Sequence, residues 1–346
     1  MTGPDVNLEI DWPKLTSHDA GAVYFDNLTG VNYTFGFAIP NMILFNDLND
    51  TGKIDTIPEE YRLYVPMTDF MWKIKETFSS SQHEAGVLFE TVEFRGEPMP
   101  NDTRILIEVV SHGFEGRNKV LPHLITTPDS AQFDIVLDHL ILNLTGAQLH
   151  NDEITAISGF ENPRWAMELV PFSMEDKDDV DEGYTYATFK SLDDEHSPGV
   201  FNVDEITTFL SRQTKHGGYL QWRPVSYLTS DRDINHSTFP NINHTFPSLE
   251  ELDEPINKSL AFAVFGENLV RRMVSTKIIV SYGEPKDNFY TGSKYTTWTL
   301  AYGVGIPPEE TFSTLVIIVI SLGIGIPSLV FVVGGSFVGY RKCRDK

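Results

Sequence analysis

The sequence predicts a mainly β protein: a lumenal β-sandwich-type ectodomain, in one unit or two packed β regions, followed by one C-terminal transmembrane α-helix. Short apolar runs rich in β-branched and aromatic residues recur along residues 31–304, with turn residues between them. That pattern is typical of a sandwich. Residues 312–339 contain no charged side chain over 28 positions, more than the roughly 20 that a helix needs to cross a hydrocarbon core. The only cysteine is Cys343, so no intrachain disulfide supports the fold.

Apolar segments predict the individual strands. In the first half of the chain they lie at residues 31–37, 87–94, 104–110 and 133–138. The segment 104–110 is almost continuously apolar, as expected of a strand that is buried on both faces. Later strands are predicted at residues 184–189, 219–227, 260–265, 277–282 and 295–304. Glycine and proline interrupt the pattern at the predicted turns, which are residues 95–98, 216–218 and 283–285.

Two helices are predicted within the ectodomain. Residues 69–79 put Phe70, Ile74 and Phe78 at i, i+4 and i+8, on one face of a helix. Residues 204–212 form the second helix, with Asp204 as its N-cap. The acidic run at residues 175–182 has almost no apolar content, which predicts an exposed loop or a joint between two β regions near residues 175–183.

Charge predicts the orientation in a membrane. Residues 340–346 carry four basic side chains and one acidic side chain, and basic flanks of a membrane helix stay in the cytosol. We therefore expect a lumenal domain at residues 1–310, a transmembrane helix at 311–340 and a cytosolic tail at 341–346. The net charge of −23 argues against nucleic acid as a partner. The first residues lack the apolar stretch of a signal peptide, so we expect the natural N-terminus to lie further upstream.

Asparagine usage supports a lumenal ectodomain. Eight N-x-S/T sequons precede the uncharged segment, and each is a candidate N-glycosylation site on a lumenal surface. Their asparagines are Asn27, Asn32, Asn49, Asn101, Asn143, Asn235, Asn243 and Asn257. A sugar coat of this density would shield the chain from proteases.

Small residues recur at helical spacing within the uncharged segment. Gly335 and Gly339 form a G-x-x-x-G motif, and Ser321 and Gly325 repeat the four-residue spacing. Such spacing puts small residues on one helix face, where a second helix backbone can approach closely. The sequence therefore predicts a helical partner in the membrane, with lipid around the rest of the helix.

The sequence contains no familiar catalytic motif: G-x-S-x-G, H-E-x-x-H, C-x-x-C and the P-loop are all absent. Residues 193–196 are the best candidate for a metal or acid–base cluster. A solvated turn explains them better, because adjacent residues of an extended chain point to opposite sides. We predict no catalytic residue, no metal site and no cofactor. A pair of carboxylates suited to glycoside hydrolysis remains an alternative, because the sequence does not give the distance between two side chains in space.

Trp222 and Arg223 belong to a distinctive segment, Gln-Trp-Arg-Pro-Val, at residues 221–225. Tryptophan and arginine dominate interface hot spots, so these two residues are candidate interface residues. The alternative is structural: Arg223 stacks on Trp222 at a sheet edge, and Pro224 ends the hydrogen-bond ladder.

Several segments together resemble the glycosylated lysosomal membrane protein family. They are residues 94–99, 191–195, 198–201 and 221–227, followed by Trp298 and residues 303–308. Their order and the C-terminal uncharged segment also agree, and the resemblance covers roughly residues 66–340. The segment 221–227 and the segment before the membrane are specific, whereas the others are weak alone.

The resemblance implies a heavily N-glycosylated, single-pass type I protein of the lysosomal membrane, with an all-β lumenal domain. It also implies an accessory subunit that binds, stabilises and shields a major-facilitator-type lysosomal dipeptide transporter from lumenal proteolysis. The resemblance implies no catalytic residue in this chain. Two departures stand out: vertebrate members have lumenal cysteines and a tyrosine-based sorting signal in the tail, and this chain has neither.

The sequence thus predicts a non-enzymatic accessory subunit, with a multi-span transporter as its partner. The alternative is a membrane-tethered lumenal hydrolase. An adhesion or receptor ectodomain is disfavoured, because the predicted tail is too short to carry a signalling motif.

Overall fold

Strands dominate the fold, which is described by a computed structural model. The described residues are 7–27, 31, 33–79, 84–118, 120–140, 148–149, 152–153, 160–176, 183–193, 199–208, 217–243, 254–287, 292–309 and 314–344. The prediction of a mainly β protein is confirmed, and so is the presence of a C-terminal helix.

The strands share an antiparallel arrangement wherever their register is described. In chain order they are β1 (Leu8–Ile10), β2 (Val23–Phe25), β3 (Phe35–Ala38), β4 (Asn41–Asn46), β5 (Arg62–Pro66), β6 (Phe70–Ser79), β7 (Glu84–Phe94), β8 (Glu97–Pro98), β9 (Arg104–His112), β10 (Gly116–Arg117), β11 (Ile125–Thr126), β12 (Ser130–Asp138), β13 (Gln148–Leu149), β14 (Asp152–Glu153), β15 (Pro163–Asp176), β16 (Tyr184–Asp193), β17 (Gly199–Thr208), β18 (Gly218–Trp222), β19 (Ser226–Tyr227), β20 (Ser237–Thr238), β21 (Pro240–Ile242), β22 (Met273–Ser275), β23 (Ile278–Tyr282) and β24 (Tyr295–Val304). The helices are α1 (Trp12–Thr16), α2 (Glu254–Asn257), α3 (Leu260–Phe265), α4 (Asn268–Arg271) and α5 (Thr314–Arg344).

Two large sheets form the framework. The larger sheet has 11 strands, and its main path runs β16-β17-β18-β24-β12-β9-β7-β6. The smaller sheet has seven strands in the order β21-β23-β15-β4-β5, with β3 and β22 also paired to β15. Strand β6 is therefore the last strand at one end of the larger sheet.

One apolar core joins the two sheets. Trp222 and Trp298 enter it from the larger sheet, and Trp165, Met167 and Tyr282 enter it from the smaller sheet. The ring of Trp298 meets Trp222 at 5.9 Å and Tyr282 at 6.2 Å between centroids, both edge to face. Such pairs add about 0.5–1.5 kcal/mol beyond their burial. A continuous line of aromatic rings thus connects the sheets.

Strand β15 is buried on both faces, which explains its apolar composition. Beside its contribution to the main core, Ala166 packs with Ile54 of a 3₁₀ turn on the opposite face. Further along the same strand, Val170 packs with Leu269 of α4. Helices α2, α3 and α4 therefore cover the outer face of the smaller sheet.

Two predicted elements have the opposite secondary structure. Residues 70–79 form strand β6 rather than a helix. The even spacing of Phe70 and Ile74 also fits one face of a strand, and a register shift before Glu76 puts Phe78 on the other face. Residues 260–265 form helix α3 rather than a strand. Ser259 caps this helix, and its Oγ accepts a hydrogen bond from the backbone N–H of Phe262 at 3.2 Å.

The predicted helix at residues 204–212 is also incorrect where the structure describes it. Strand β17 continues through Thr208, and Asp204 accepts a hydrogen bond from Thr188 Oγ1 at 2.7 Å instead of capping a helix. Residues 177–182 of the predicted joint lie outside the described residues, so the joint stays a prediction. By compactness, one unit comprises residues 1–189 and 202–308, and a second comprises residues 190–201 and 309–346.

Helix α5 contains Pro327, and Ser328 Oγ donates to the carbonyl of Ile324 at 2.8 Å beside it. Pro327 has no backbone N–H to donate to the carbonyl of Gly323 four residues earlier. Within the described part of the chain, no helix satisfies the length and hydropathy criteria of a membrane span.

Candidate partner interface and glycan positions

Four sequon asparagines lie at exposed turns of the β domain. They are Asn27 after β2, Asn49 after β4, Asn101 before β9 and Asn235 in a 3₁₀ turn. Turns of this kind leave room for an attached sugar. Asn32 and Asn143 lie outside the described residues.

Asn235 is held by the aspartate two positions before it. The backbone N–H of Asn235 donates to Asp233 Oδ1 at 2.9 Å, and its Nδ2 donates to the same oxygen at 2.8 Å. The backbone hydrogen bond from Asn235 is the main reason that the pKa of Asp233 lies below its usual value. The aspartate therefore accepts both bonds as a carboxylate and orients the sequon side chain.

Asn243 and Asn257 differ from the exposed sequon asparagines, because both are half-buried. The backbone N–H of Asn243 donates to the carbonyl of Ile279 at 3.1 Å, which ties the asparagine to β23. The Oδ1 of Asn257 is buried at the end of α2. Accessibility therefore divides the described sequons into two classes, a division that has no signal in the sequence.

The loop that carries Asn49 is anchored by the fully buried Arg164. Its Nε lies 2.9 Å from Asp47 Oδ2, and its Nη2 lies 2.9 Å from Asp287 Oδ1 and also contacts Asp50. Asp47 in turn accepts from the backbone of residues 51 and 52. One guanidinium thus fixes two loops of the β domain, at residues 47–52 and 283–287.

The structure puts Trp222 and Arg223 in the core rather than on the surface. Trp222 is 1% exposed, and Arg223 is buried as well. Arg223 Nη2 donates to the carbonyl of His123 at 3.2 Å, which is a contact with a loop. Both residues therefore stabilise the β domain, and neither offers a surface to a partner.

An apolar groove of about 610 Å³ opens between β3 of the smaller sheet and several strands of the larger sheet. No charged side chain lines it among the described residues. The lining consists of Phe35, Gly36, Phe37, Ile39, Met67, Trp72, Ile107, Val109, Phe133, Leu260 and Tyr302. The groove was not predicted from the sequence, although the apolar residues at 35–39 are a signal for it.

Aromatic contacts shape the wall of this groove. Phe37 meets Phe133 at 5.1 Å and Tyr302 at 5.3 Å between ring centroids, both edge to face. Burial raises the pKa of Tyr302, so its phenol stays protonated and uncharged. The wall is therefore uncharged at both acidic and neutral pH.

Strand β6 continues this apolar surface at the end of the larger sheet. Trp72 lines the groove, while Met71 is 54% exposed and Ile74 is 60% exposed. Lys73 and Lys75 lie on the same strand, and irregularities in the register interrupt its pairing with β7. Lysines and bulges on an edge strand hinder backbone pairing with a strand of another chain. A partner would therefore contact β6 mainly through side-chain packing.

The two lysines of β6 share one acidic partner within the fold. Glu90 of β7 pairs with Lys73 at 3.3 Å and with Lys75 at 3.2 Å. Burial raises the pKa of Glu90, but hydrogen bonds from Lys75 and Lys73 outweigh this effect, and the net pKa lies below its usual value. This single carboxylate therefore offsets part of the positive charge beside the exposed apolar side chains.

A carboxylate pair on β9 and β12 bears on the hydrolase alternative. Glu108 lies opposite Asp134 in the register of the two strands. Asp134 is buried and accepts from Thr299, from Gln132 at 2.9 Å and from Arg232 at 3.2 Å. These donors occupy both carboxylate oxygens, so Asp134 serves as a structural anchor.

The candidate metal or acid–base cluster is only partly described. Asp193 ends β16, and residues 194–196 lie outside the described residues. Over the ranges that the structure describes, no group of three histidine, cysteine, aspartate or glutamate side chains could hold a metal ion.

Comparison with known proteins identifies the family. The profile of the family described as "Glycosylated lysosomal membrane protein" matches residues 1–345. Similar proteins of that name are 25% identical over 348 residues in Danio rerio (96% of this chain, 75% of the relative) and 23% identical over 344 residues in Mus musculus (97% and 76%). "Glycosylated lysosomal membrane protein A" of Xenopus laevis is 23% identical over 339 residues (94% and 75%). This chain belongs to the glycosylated lysosomal membrane protein family.

Proposed function

We propose that this chain is a non-enzymatic accessory subunit of a multi-span, major-facilitator-type dipeptide transporter in the lysosomal membrane. In this proposal α5 crosses the bilayer once, the β domain lies in the lumen and the short tail lies in the cytosol. The β domain covers lumenal loops of the transporter, stabilises it and shields it from lumenal proteases.

The apolar groove is the observation that carries this proposal. Exposed apolar surface that is bordered by polar residues is typical of a protein contact site. The groove offers aromatic and aliphatic walls, and the exposed Ile74 lies two residues after Trp72 on β6, on the same strand face. None of the groove's lining residues is a sequon asparagine. A partner loop with an apolar side chain would therefore bury this surface without displacing a sugar attached to the lining.

The membrane part of the proposal is supported by the uncharged residues 312–339 and by the small residues of α5. At about 100° per residue, Ser321, Gly325, Gly335 and Gly339 fall within a sector of roughly 80° on one helix face. A side-chain carbon at Gly325 or Gly335 would meet no atom within 4 Å. This face has room for the backbone of another helix, and lipid would surround the other faces.

The shielding role is supported by the exposed sequons. Asn27, Asn49, Asn101 and Asn235 lie at turns, which are the preferred sites of proteolytic cleavage. Sugars at these turns would block a protease from the backbone. The absence of a catalytic motif in the sequence favours a binding role over the hydrolase alternative.

A glycan placed on β6 would test the lumenal contact. Lys75→Asn creates an N-x-T sequon with Thr77 by a single substitution, and Lys75 lies on the exposed edge strand. The matched control is Lys75→Gln, which removes the same charge and the same contact with Glu90 without creating a sequon. Both variants keep α5 unchanged.

We expect the glycosylated Lys75→Asn chain to lose co-purification with the transporter from lysosomal membranes and to lower the abundance of the transporter. The Lys75→Gln chain should retain both. Equal recovery of the transporter with the two variants, when a glycan at position 75 is verified by mass spectrometry, would refute the β6 contact. A hydrolase activity in the purified chain would favour the alternative.

A further inference from the structure

A second cavity, which we call the polar pocket, lies between the ends of the two sheets. Its volume is about 560 Å³, within the range of about 300–1,000 Å³ that is typical of ligand pockets. Strands β16 and β17 of the larger sheet form one wall, and β21 and β23 of the smaller sheet form the other. Its lining is rich in amide, hydroxyl and charged groups, unlike that of the apolar groove.

The wall on the larger sheet combines an aromatic ring with a carboxylate. Tyr186 is half-buried, and its ring lies 6.3 Å from that of Trp222, which holds it in position. Thr188 Oγ1 lies 3.2 Å from the hydroxyl of Tyr186 and donates to Asp204 Oδ1 at 2.7 Å. Burial, with a contribution from Asp204, raises the pKa of Tyr186 to about 12. The phenol therefore remains a hydrogen-bond donor.

The wall on the smaller sheet supplies amides on a rigid support. Asn241 Nδ2 donates to the carbonyl of Gly283 at 2.7 Å and to that of Gly52 at 3.1 Å. Ser281 Oγ also donates to the carbonyl of Gly52, at 2.9 Å. Lys53 adds a positive charge to the lining, and Asp55 adds a negative one. Preorganised polar groups beside an aromatic face suit a ligand that has hydroxyl and amide groups on an apolar ring.

The asparagine of a sequon forms part of this pocket. Asn243 lines the cavity and is half-buried, in contrast to the exposed Asn49 and Asn235. Its backbone N–H donates to Ile279 at 3.1 Å, so the attachment point is fixed to β23. A sugar linked to Asn243 Nδ2 would begin at the wall of the polar pocket, whereas sugars on the exposed turns would begin in solvent.

We propose that the polar pocket is an intramolecular glycan-binding site that holds the first N-acetylglucosamine residues of the glycan on Asn243. The ring of Tyr186 would face the apolar side of the sugar, and Asp204, Asn241 and Lys53 would bind its hydroxyl and acetamide groups. Because the pocket wall comes from both sheets, the docked sugar would brace the end of the sandwich. The inference rests on the lumenal location in the proposed function and requires no transporter.

Native deglycosylation of the full chain in detergent tests this inference. The chain is digested with a peptide N-glycosidase without denaturation, and release at each sequon is followed by site-specific mass spectrometry. Docking with a ten-to-one preference would slow release at Asn243 about tenfold relative to Asn49 and Asn235, because only the undocked population is open to the enzyme. After denaturation the three rates should become equal.

The variant Tyr186→Ala should restore rapid release at Asn243 without changing release at Asn49 or Asn235, which report that the fold is intact. If the variant does not fold, the inference is tested by the release rates at the three sequons of the unsubstituted chain, compared before and after denaturation. Equal native rates at the three sites would overturn the inference, as would an unoccupied Asn243 in a chain whose exposed sequons carry glycans. A chain without glycans at any sequon would instead contradict the lumenal location and the proposed function.

Discussion

Replacing Arg164 with methionine should destabilise the β domain strongly. Arg164 is fully buried, and its guanidinium contacts Asp47, Asp50 and Asp287 as well as the carbonyl of Glu284 at 3.2 Å. Methionine has a similar length and fills much of the same volume. The substitution therefore isolates the loss of charge and hydrogen bonds from the loss of packing.

The magnitude follows from the surroundings of the three carboxylates. Removing one partner of a buried ion pair costs about 3–5 kcal/mol, because the remaining charge is left uncompensated. Asp47 would keep donors from the backbone of Thr51 at 3.0 Å and Gly52 at 2.7 Å, and Asp287 would keep the backbone N–H of Glu284 at 2.6 Å. Because these donors remain, we expect the loss of unfolding free energy to lie at the lower end of that range, at about 3 kcal/mol. At about 2 °C per kcal/mol for a domain of this size, Tm should fall by about 6 °C.

Thermal unfolding of the purified full chain at neutral pH measures this shift. The matched control is Arg271→Met, because Arg271 forms an exposed pair with Glu267 at 2.7 Å, with side chains 73% and 64% accessible. Exposed pairs contribute at most about 1 kcal/mol, so the control should lower Tm by no more than about 2 °C. If Arg164→Met lowered Tm no more than Arg271→Met, the anchoring role of Arg164 would be refuted.

Three further predictions concern pH, the membrane helix and the core. Burial, and then the charge of Asp134, raise the pKa of Glu108 above its usual 4.5. Above pH 4.5 the folded state therefore keeps a proton on Glu108 that the unfolded chain loses. As a result, the free energy of unfolding falls as pH rises above 4.5. Glu108→Gln should therefore raise Tm at pH 7 more than at pH 4, and equal shifts at both pH values would contradict the argument. Gly335→Leu combined with Gly339→Leu should reduce co-purification with the transporter in detergent, because larger side chains separate the helices; unchanged recovery would count against helix packing. Trp222→Ala should destabilise the chain by about 3–5 kcal/mol in chemical denaturation, whereas a surface role for Trp222 predicts little change.

Local pattern alone misassigned three segments, and two of them show different physical reasons. In β6, Phe70, Ile74 and Phe78 recur every four residues, a spacing that fits a helix face and a strand face equally, and pairing with β7 decides between them. In α3, the apolar run 260–265 resembles a buried strand. The Ser259 cap and two alanines instead favour a helix that packs on β15.

The sequence names candidate sites from single residues, but it does not show what surrounds each of them in the fold. The sequons could be read directly, but the exposure of Asn235 and the half-burial of Asn243 depend on segments that are distant in sequence. Trp222 and Arg223 have the residue types of an interface, yet the second sheet and the His123 loop cover them. Residue type therefore indicates what a side chain can do, and burial decides whether a partner can reach it.

By itself, the sequence determined the mainly β class, the family, the positions of the sequons and the uncharged C-terminal segment. These properties depend on composition and on residues that are close together in sequence. They can therefore be read without knowing which distant segments touch in the fold. Only the tertiary structure decided that Arg164 joins two loops, that residues 35–39 meet β6, β9 and β12 in an apolar groove, and that Asn243 lines a pocket between the sheets. The physical reason is that antiparallel pairing within these sheets brings together residues more than a hundred positions apart, and no local pattern encodes which strands become neighbours.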